Sequence, residues 1–292
     1  MHNILVIGAT GPQARAVAEK LVESGYKVRA LVRDRARAVE LADKGIEVCE
    51  GDLNDAASVS AAMRGQEGVF LLISFISGQL AQAQNVVDAA VEAKVQKLVW
   101  NSTGPILKFR TGNPSADLRL DILRMLEGSG VPFAALQPTT YMENLLIPAL
   151  ANEVAEKNVL AYPMPETVTC QWISHLDAAA FAVAAFGDGG RDNLNIDICG
   201  PEKLSGPEIA ERFSRALGRT ITFRPMPPEE FASVISFGGN EDAVISHYKA
   251  VFDDPTRMGT NIDFGHAIAE LPIVPTSMEA FARRCRDYFT KR

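Results

Sequence analysis

The chain has 292 residues, of which 47% are hydrophobic and 22% charged, as is ordinary for a soluble globular protein. Its formal net charge of −7 argues against direct nucleic-acid binding, which usually shows as an excess of Lys and Arg. The longest apolar block, at 176–187, is too short to span a bilayer and carries Asp177, and no signal peptide is recognisable. We therefore expect a cytoplasmic protein without a membrane partner.

Apolar runs of strand length alternate with helical patterns through the first half of the chain. The runs lie at 4–7, 28–32, 46–49, 69–73, 98–100 and 133–136, and the helical patterns near 12–24, 35–43, 55–63, 79–93 and 115–128. This alternation predicts an α/β fold, namely a Rossmann-type doubly wound parallel sheet with helices on both faces.

The pattern becomes irregular after Pro138, where several prolines interrupt it. The remaining predicted elements are a strand at 194–198, a helix at 205–218, a short strand at 220–226 and a last helix at 276–289. We interpret 1–140 as a dinucleotide-binding domain. Residues 141–292 are interpreted as mainly a smaller, mixed substrate-binding region, with 194–198 returning to the sheet. The substrate is expected in the cleft between the two, beyond the carboxyl ends of the strands.

The segment "GATGPQARAV" joins the first strand to the first helix, with Gly8, Gly11 and Ala14 at characteristic spacing. Gly8 permits the tight turn, Gly11 lets the backbone approach a pyrophosphate, and Ala14 is small enough for close packing of helix and sheet. The helix N-terminus offers free N–H groups to the phosphates. The sequence thus predicts a dinucleotide site, the alternative being a turn that is glycine-rich by chance.

The second strand is followed at once by Arg33, and then by Asp34, Arg35 and Arg37. An arginine here favours a ribose 2′-phosphate, whereas a carboxylate favours a free 2′-hydroxyl. We therefore predict NADP as the cofactor, with NADPH preferred over NADH. The alternative is that Asp34 turns inward and binds a hydroxyl.

The segment "GDLND" follows the third predicted strand. The side chain of Asp52 and the backbone of Leu53 are predicted to flank an adenine. An alternative, which is compatible with the first, is that Asn54 or Asp55 caps the next helix.

Several segments together resemble the NmrA-like branch of the atypical short-chain dehydrogenase/reductase superfamily. They are "GATGPQARAV", "LVRD", "GDLND", "GVPFAALQPTTYMENLL", "ICGPEKLSGPEIAERFSRALGR" and "TSMEAFARR". The resemblance covers nearly the whole chain. The family includes NADPH-dependent reductases of quinones, benzylic ethers, isoflavonoids and iminium ions, and also dinucleotide-binding regulators of transcription factors.

The resemblance assigns a set of residues to the cofactor. They are Gly8, Thr10, Gly11, Pro12 and Gln13 for the pyrophosphate, Arg33 for the 2′-phosphate, Asp52 and Leu53 for adenine, Ile73 and Ser74 for the ribose, and Pro138 and Thr139, within "QPTTY", for the nicotinamide. Asn101, at the end of the fifth predicted strand, is assigned to the same site. Ala14 departs from the third glycine of the family, but its small size is expected to preserve binding.

Hydride transfer to a carbonyl needs a proton donor, and typical short-chain dehydrogenases use Tyr-x-x-x-Lys. No tyrosine of this chain has lysine four residues later. In the related benzylic-ether and isoflavonoid reductases a lysine precedes "G-[IV]-P", and here that position is Arg119, a poor proton donor that can still position a substrate. The alternative is a solvated arginine beside Asp117 or Asp121.

Other polar residues are weaker candidates for catalysis. Tyr141 is interpreted as binding substrate or only packing, and His175 as a base or a packing residue. The remaining candidates are Ser102, Thr103 and Lys108, and the aromatic residues Phe75, Phe109 and Trp172 are expected to line a flat apolar pocket or to belong to the core.

The function predicted from these features is NADPH-dependent hydride transfer to a small electron-poor acceptor such as a quinone, enone or iminium. Two alternatives remain, a non-catalytic NADP-sensing regulator with a protein partner and a non-redox isomerase or lyase that retains NADP. No metal motif is evident, and the widely spaced Cys49, Cys170, Cys199 and Cys285 are expected to be free thiols.

Overall fold

The computed structural model describes residues 1–74, 78–187, 190–235, 241–254 and 262–290. The chain forms two compact units, each assembled from separate segments. The first unit comprises Met1–Pro138, His175–Ile198 and Gly265–Ile273, and the second comprises Thr139–Ser174, Cys199–Phe264 and Val274–Arg292.

The strands are β1 (Asn3–Ile7), β2 (Lys27–Val32), β3 (Glu47–Glu50), β4 (Gly68–Leu72), β5 (Lys97–Asn101), β6 (Phe133–Pro138), β7 (Thr140–Tyr141), β8 (Val159–Tyr162), β9 (Thr169–Ile173), β10 (Leu194–Ile198), β11 (Lys203–Ser205) and β12 (Thr222–Pro225). The α-helices are α1 (Pro12–Glu23), α2 (Val39–Asp43), α3 (Ala56–Met63), α4 (Leu80–Glu92), α5 (Pro114–Ser129), α6 (Pro148–Lys157), α7 (His175–Phe186), α8 (Gly206–Leu217), α9 (Pro228–Val234), α10 (Glu241–Asp253), α11 (Phe264–Glu270) and α12 (Met278–Arg284). Short 3-10 helices lie at Arg35–Ala38, Met142–Leu146 and Arg286–Phe289.

The first unit is built on a seven-stranded sheet in the order β10-β6-β5-β4-β1-β2-β3. All of its neighbouring strands are parallel. The chain runs outward from β1 to β3, and then returns to the other side of β1 to continue with β4. The predicted doubly wound α/β fold is therefore confirmed, and the direction of winding reverses between β1 and β4.

Helices cover both faces of this sheet because successive strand residues point to opposite sides. On one face, alternate strand residues such as Leu5, Ile7 and Leu71 form a core with residues of α3, α4 and α5. On the other face, α1 packs against α7. A Cβ placed on Gly68 would meet Ile4 at 2.6 Å and Phe186 at 3.0 Å, so β1, β4 and α7 approach closely there.

The second unit has smaller sheets of mixed direction, as predicted for the C-terminal region. In one, β11 is antiparallel to β9, and β9 is parallel to β7. In the other, β12 is parallel to β8. Its core includes Tyr162 and Trp172, whose rings meet edge to face at 5.0 Å.

Three local details differ from the predictions. The pattern at 35–43 forms a 3-10 turn followed by the short α2, because the Asp34 side chain accepts a hydrogen bond from Ala36 N and so caps the 3-10 turn. The predicted continuous helix at 276–289 stops as α12 and resumes as a 3-10 turn. There Phe289 is fully buried against Phe213, so tertiary packing fixes the tighter turn. The irregular region after Pro138 also contains α6 and the short β7, β8 and β9, which the sequence analysis did not identify.

The four cysteines are free, as expected, and Cys170 and Cys199 are buried. Burial raises the pKa of the Cys170 thiol to about 12. Within the part of the chain that the structure describes, no helix combines the length and the apolar character needed to cross a bilayer.

Candidate functional site

The predicted cofactor residues of the first unit follow the carboxyl ends of its parallel strands. The phosphate loop follows β1, Arg33 follows β2, Asp52 follows β3, and Ile73 follows β4. Parallel strands place these ends on one edge of the sheet, and β1 and β4 flank the point where winding reverses. The fold thus collects these side chains at the edge where open α/β sheets bind ligands.

The loop from Gly8 to Gly11 is a tight turn closed by a hydrogen bond from Gly11 N to Gly8 O at 2.9 Å. Gly8 has φ +89°, and a Cβ there would lie 3.2 Å from the Leu72 carbonyl oxygen. Only glycine fits this position without strain. Ala14 is fully buried, which is consistent with the small residue expected where α1 lies against the sheet.

The N-terminus of α1 carries no acidic residue in its first turn, and its N-cap Gly11 has no side chain to cap it. By contrast, α3 is capped by Asp55 and α5 by Asn113. The positive end of the α1 dipole is therefore not offset by a cap or an acid of its own. Nearby, the side-chain oxygen of Gln13 is buried without a hydrogen-bond partner among the described residues. A water or a hydroxyl group of a bound molecule that donates a hydrogen bond would satisfy this oxygen.

Arg33 and Asp34, which directly follow β2, differ in their hydrogen bonding. The Asp34 carboxylate accepts from Ala36 N at 2.8 Å and caps the 3-10 turn, so it has a structural use. Arg35 donates to the Val48 carbonyl oxygen at 2.6 Å and is held against β3. Arg33 is exposed and has no hydrogen bond or ion pair within the described ranges. Of these residues, Arg33 keeps all of its donors available to a ligand.

The loop after β3 is held by a polar network. Asp52 accepts from the backbone and side-chain nitrogens of Asn54, both at 2.8 Å. The Leu53 carbonyl oxygen accepts from Asn85 of α4 at 2.8 Å. Asp55 caps α3 by accepting from Ala57 N, which confirms one of the two predicted caps. Asp52 and Leu53 therefore have fixed positions at the end of the sheet.

The ends of β4 and β5 bring further predicted residues to this edge. Ile73 is buried and Ser74 is exposed, whereas Phe75, which directly follows them, lies outside the described residues. Asn101 is buried, and its side-chain oxygen accepts from Thr103 N at 2.8 Å. The Ser102 hydroxyl oxygen lies 2.6 Å from the Gly104 carbonyl oxygen, to which it donates, and 3.0 Å from the Leu136 carbonyl oxygen. Ser102 and Asn101 thus shape the turn at the end of β5.

Arg119 lies on α5, and its Nε donates to the Ser102 carbonyl oxygen at 3.0 Å. The predicted alternative, a solvated arginine beside Asp117 or Asp121, is wrong. Asp117 instead accepts from Thr111 N and Gly112 N, and Asp121 pairs with Arg110. Burial lowers the pKa of the Arg119 guanidinium, so its charge is partly desolvated.

The "QPTTY" segment passes from one unit to the other. Pro138 ends β6 in the first unit, and Thr139 begins the second. The Thr139 hydroxyl oxygen is buried without a partner within the described ranges. Tyr141 lies in β7, beside Ile173 of β9, and only 7% of it is exposed. Such burial leaves only a small part of Tyr141 for contact with a substrate.

The remaining candidates occupy different environments. His175 begins α7, and burial lowers its pKa to about 4, so it is neutral at pH 7. Lys108 and Phe109 are exposed on the loop before α5, whereas Trp172 is buried in the core of the second unit. Trp172 is therefore a core residue, in line with the second of the two predicted roles for these aromatics.

Two further residues shape the sheet edge, namely Gln137, which begins the "QPTTY" segment predicted near the nicotinamide, and Gly104, which the sequence analysis did not single out. Gln137 accepts from Ile106 N at 2.6 Å and donates to the Asn195 side-chain oxygen at 2.7 Å. It therefore ties the loop after β5 to β10. Gly104 has φ +146°, and a Cβ there would lie 3.3 Å from Arg119 Nη2. The only sequence signal was the glycine itself, directly after a strand.

The sequence model of the NmrA-like family matches residues 1–282 of the chain. The chain belongs to the NmrA-like family. The sequence is 33% identical to an NAD(P)H azoreductase from Xenophilus azovorans over 224 residues, which are 75% of this chain and 76% of the relative. It is 27% identical to quinone oxidoreductase 2 of Escherichia coli strain K12 over 245 residues, covering 82% of this chain and 84% of that protein.

The fold is also similar to a solved structure of an NADPH-dependent quinone oxidoreductase from Escherichia coli in complex with NADPH. The TM-score is 0.77 and the identity 24%, with 97% of this chain and 99% of the other covered. This similarity shows that the chain shares the fold of that structure. The match to the family model confirms the resemblance that the sequence segments indicated.

Proposed function

We propose that this protein is an NADPH-dependent reductase that transfers hydride to a small electron-poor organic acceptor, such as a quinone, enone or iminium. The proposal is supported by its relatives, which are named as an NAD(P)H azoreductase and a quinone oxidoreductase. The observation that carries it within this chain is the uncapped N-terminus of α1 at the reversal point of the sheet.

The residues present fit a dinucleotide with a 2′-phosphate. Gly8, Thr10, Gly11, Pro12 and Gln13 would hold the pyrophosphate region, where α1 offers its N-terminal dipole. The Gln13 oxygen, which has no partner among the described residues, would accept a hydrogen bond from a ribose hydroxyl. The cofactor, when bound, supplies a hydride from C4 of its nicotinamide ring.

The other cofactor residues extend along the same edge. Arg33 would pair with the 2′-phosphate, because its guanidinium is exposed and has no partner within the described ranges. Asp52 and Leu53 would hold the adenine. The remaining contacts are assigned to Ile73, Ser74, Asn101, Pro138 and Thr139. In this proposal, 1–140 act as the dinucleotide-binding domain and 141–292 mainly as the substrate-binding region.

The acceptor class follows from the missing proton donor. The chain has no Tyr-x-x-x-Lys pair, and Arg119 holds its proton too firmly to act as an acid. Quinones and enones delocalise the charge that hydride transfer creates, and iminium ions begin with a positive charge. These acceptors need little protein-supplied acid, so Arg119 and Tyr141 are assigned to acceptor positioning.

The proposal is tested with NADPH deuterated at C4, in each of its two stereochemical forms, and a panel of quinones, enones and iminium ions. We expect one form to deliver deuterium to a carbon-centred acceptor and both to be oxidised in step with acceptor reduction. Absence of NADPH oxidation with every acceptor, in a protein that binds NADPH, would contradict the reductase. Such a result would favour an NADP-sensing regulator, and conversion of an acceptor without net oxidation would favour an isomerase or lyase.

A further inference from the structure

The guanidinium of Arg119 lies against the backbone of the turn that follows β5. Its Nε donates to the Ser102 carbonyl oxygen, and a Cβ on Gly104 would lie 3.3 Å from Nη2 and 3.4 Å from Cζ. The Ser102 hydroxyl donates to the Gly104 carbonyl oxygen at 2.6 Å and so holds the turn in place. The guanidinium therefore lies across the Gly104 backbone in a fixed position.

The charge of Arg119 is not balanced by an acid. Asp117 lies in the first turn of the same helix, but it accepts hydrogen bonds from Thr111 N and Gly112 N, and Asp121 pairs with Arg110. Within the described ranges Arg119 has no ion pair, and its one hydrogen bond uses one of its five N–H donors. Burial lowers the pKa of the guanidinium, because it holds a charge that water only partly solvates.

The position of Arg119 is close to the proposed cofactor site. Ser102 follows the carboxyl end of β5, and β5 is separated from β1 only by β4. Two strand spacings are about 10 Å, so the turn after β5 that contacts Arg119 lies about that distance along the sheet edge from the phosphate loop. A ligand group at Arg119 would therefore lie on the same edge as the cofactor.

We propose that the acceptor carries an oxyanion, a carboxylate or sulfonate on an aromatic or quinonoid ring, and that Arg119 binds it. The inference rests on the proposed reductase function and names its substrate class. A half-buried guanidinium with four unused donors matches an oxyanion, which accepts two parallel hydrogen bonds and supplies the missing charge. A neutral carbonyl would leave the desolvated positive charge unbalanced.

The test compares 1,4-naphthoquinone with 1,4-naphthoquinone-2-sulfonate as acceptors for the NADPH-loaded protein. In Arg119→Gln we expect KM for the sulfonate to rise by about 10-fold to 100-fold, as for loss of a charge-assisted pair, and KM for the neutral quinone to rise by a clearly smaller factor. Arg119→Lys should fall between, since it keeps the charge and loses the planar fork. The matched control is Arg124→Gln, an equal change of charge at an exposed position of α5.

A binding measurement separates this inference from the reductase proposal. Titration of naphthalene-2-sulfonate into the NADP-saturated protein by calorimetry should show binding that weakens by about tenfold in Arg119→Gln and is unchanged in Arg124→Gln. If the wild type reduces neither quinone but this difference holds, the reductase proposal fails and the anion site stands. Equal loss for both quinones, or sulfonate binding that ignores Arg119, would overturn the anion site. Thermal melting of each variant confirms that it is folded.

Discussion

The Asp34 carboxylate accepts a hydrogen bond from the Ala36 backbone N–H at 2.8 Å, and so caps the turn that follows β2. The residue before it, Arg33, is exposed and has no partner within the described ranges. The two adjacent charged residues thus differ in role, because the Asp34 carboxylate binds the backbone of the turn whereas the Arg33 guanidinium is available to a ligand. This division favours a 2′-phosphate over a free 2′-hydroxyl.

We expect wild type to bind NADPH more tightly than NADH, and Arg33→Ala to lose most of that preference. Loss of a charge-assisted pair with the 2′-phosphate should weaken NADPH binding by about 10-fold to 100-fold and leave NADH binding within about threefold. Fluorescence titration of both cofactors measures the four dissociation constants. Arg124→Ala on α5 serves as the control for a change of net charge. Equal affinity of the wild type for the two cofactors would argue that Asp34 binds a hydroxyl.

Gly11→Val should abolish dinucleotide binding while the fold survives. A Cβ at Gly11 would contact only the Gly8 carbonyl oxygen, at 3.4 Å, so the free protein has room for it. The branched side chain would instead fill the space that a pyrophosphate needs. Calorimetry with NADPH and a thermal melt together test this expectation. Gly128→Val, in open space on α5, is the matched control, and retained binding by folded Gly11→Val would place the phosphates elsewhere.

Tyr141→Phe should lower kcat/KM by about tenfold, well short of the 10²- to 10⁴-fold loss typical of removing a general acid. The reason is that the proposed function assigns Tyr141, which lies in β7 and is only 7% exposed, to acceptor positioning and not to proton transfer. Steady-state kinetics over a range of quinone concentrations from below to above KM measure the change. Tyr288→Phe removes an exposed phenol and is expected to have no effect. Complete loss of turnover in Tyr141→Phe would identify the tyrosine as the acid.

The free energy of unfolding should fall as the pH is lowered from 6.5 to 4, because of His175. Its pKa is lowered by burial to about 4, so in this range the unfolded chain binds a proton that the folded chain does not. From pH 7 to pH 5 this linkage removes about 2 kcal/mol from the free energy of unfolding. Urea titrations at both pH values should show a smaller loss in His175→Gln than in wild type. His2→Gln, at an exposed position, should behave as wild type, and an identical loss in all three proteins would exclude His175 as the cause.

The sheet of the first unit was predictable because its signals are local. Each strand of the first half is a short apolar run with a helix pattern after it, and the glycines at Gly8 and Gly11 mark the turn between β1 and α1. The Asp55 cap was also visible, since its side chain bonds to a backbone N–H two residues away. These choices depend on neighbours in sequence alone.

The second unit was less predictable because its strands are short and its partners are distant in sequence. The paired residues of β8 and β12 are 63 positions apart in sequence, as their register from Val159 with Thr222 to Tyr162 with Pro225 shows. Tyr162 and Tyr248, whose hydroxyls lie 3.3 Å apart, are brought together in the same way. No periodicity within either segment reports such a pairing.

The sequence by itself determined which residues follow each strand of the parallel sheet, and therefore that Gly8, Arg33 and Asp52 share one edge. Only the tertiary structure decided how the charges around them are used. Asp117 and Asp121 stand near Arg119 in sequence, yet the first caps a loop and the second pairs with Arg110, which leaves the guanidinium on the Gly104 backbone. The physical reason is that a charged side chain selects its partner by distance and burial in space, whereas strand and turn signals are set by backbone conformation along the chain.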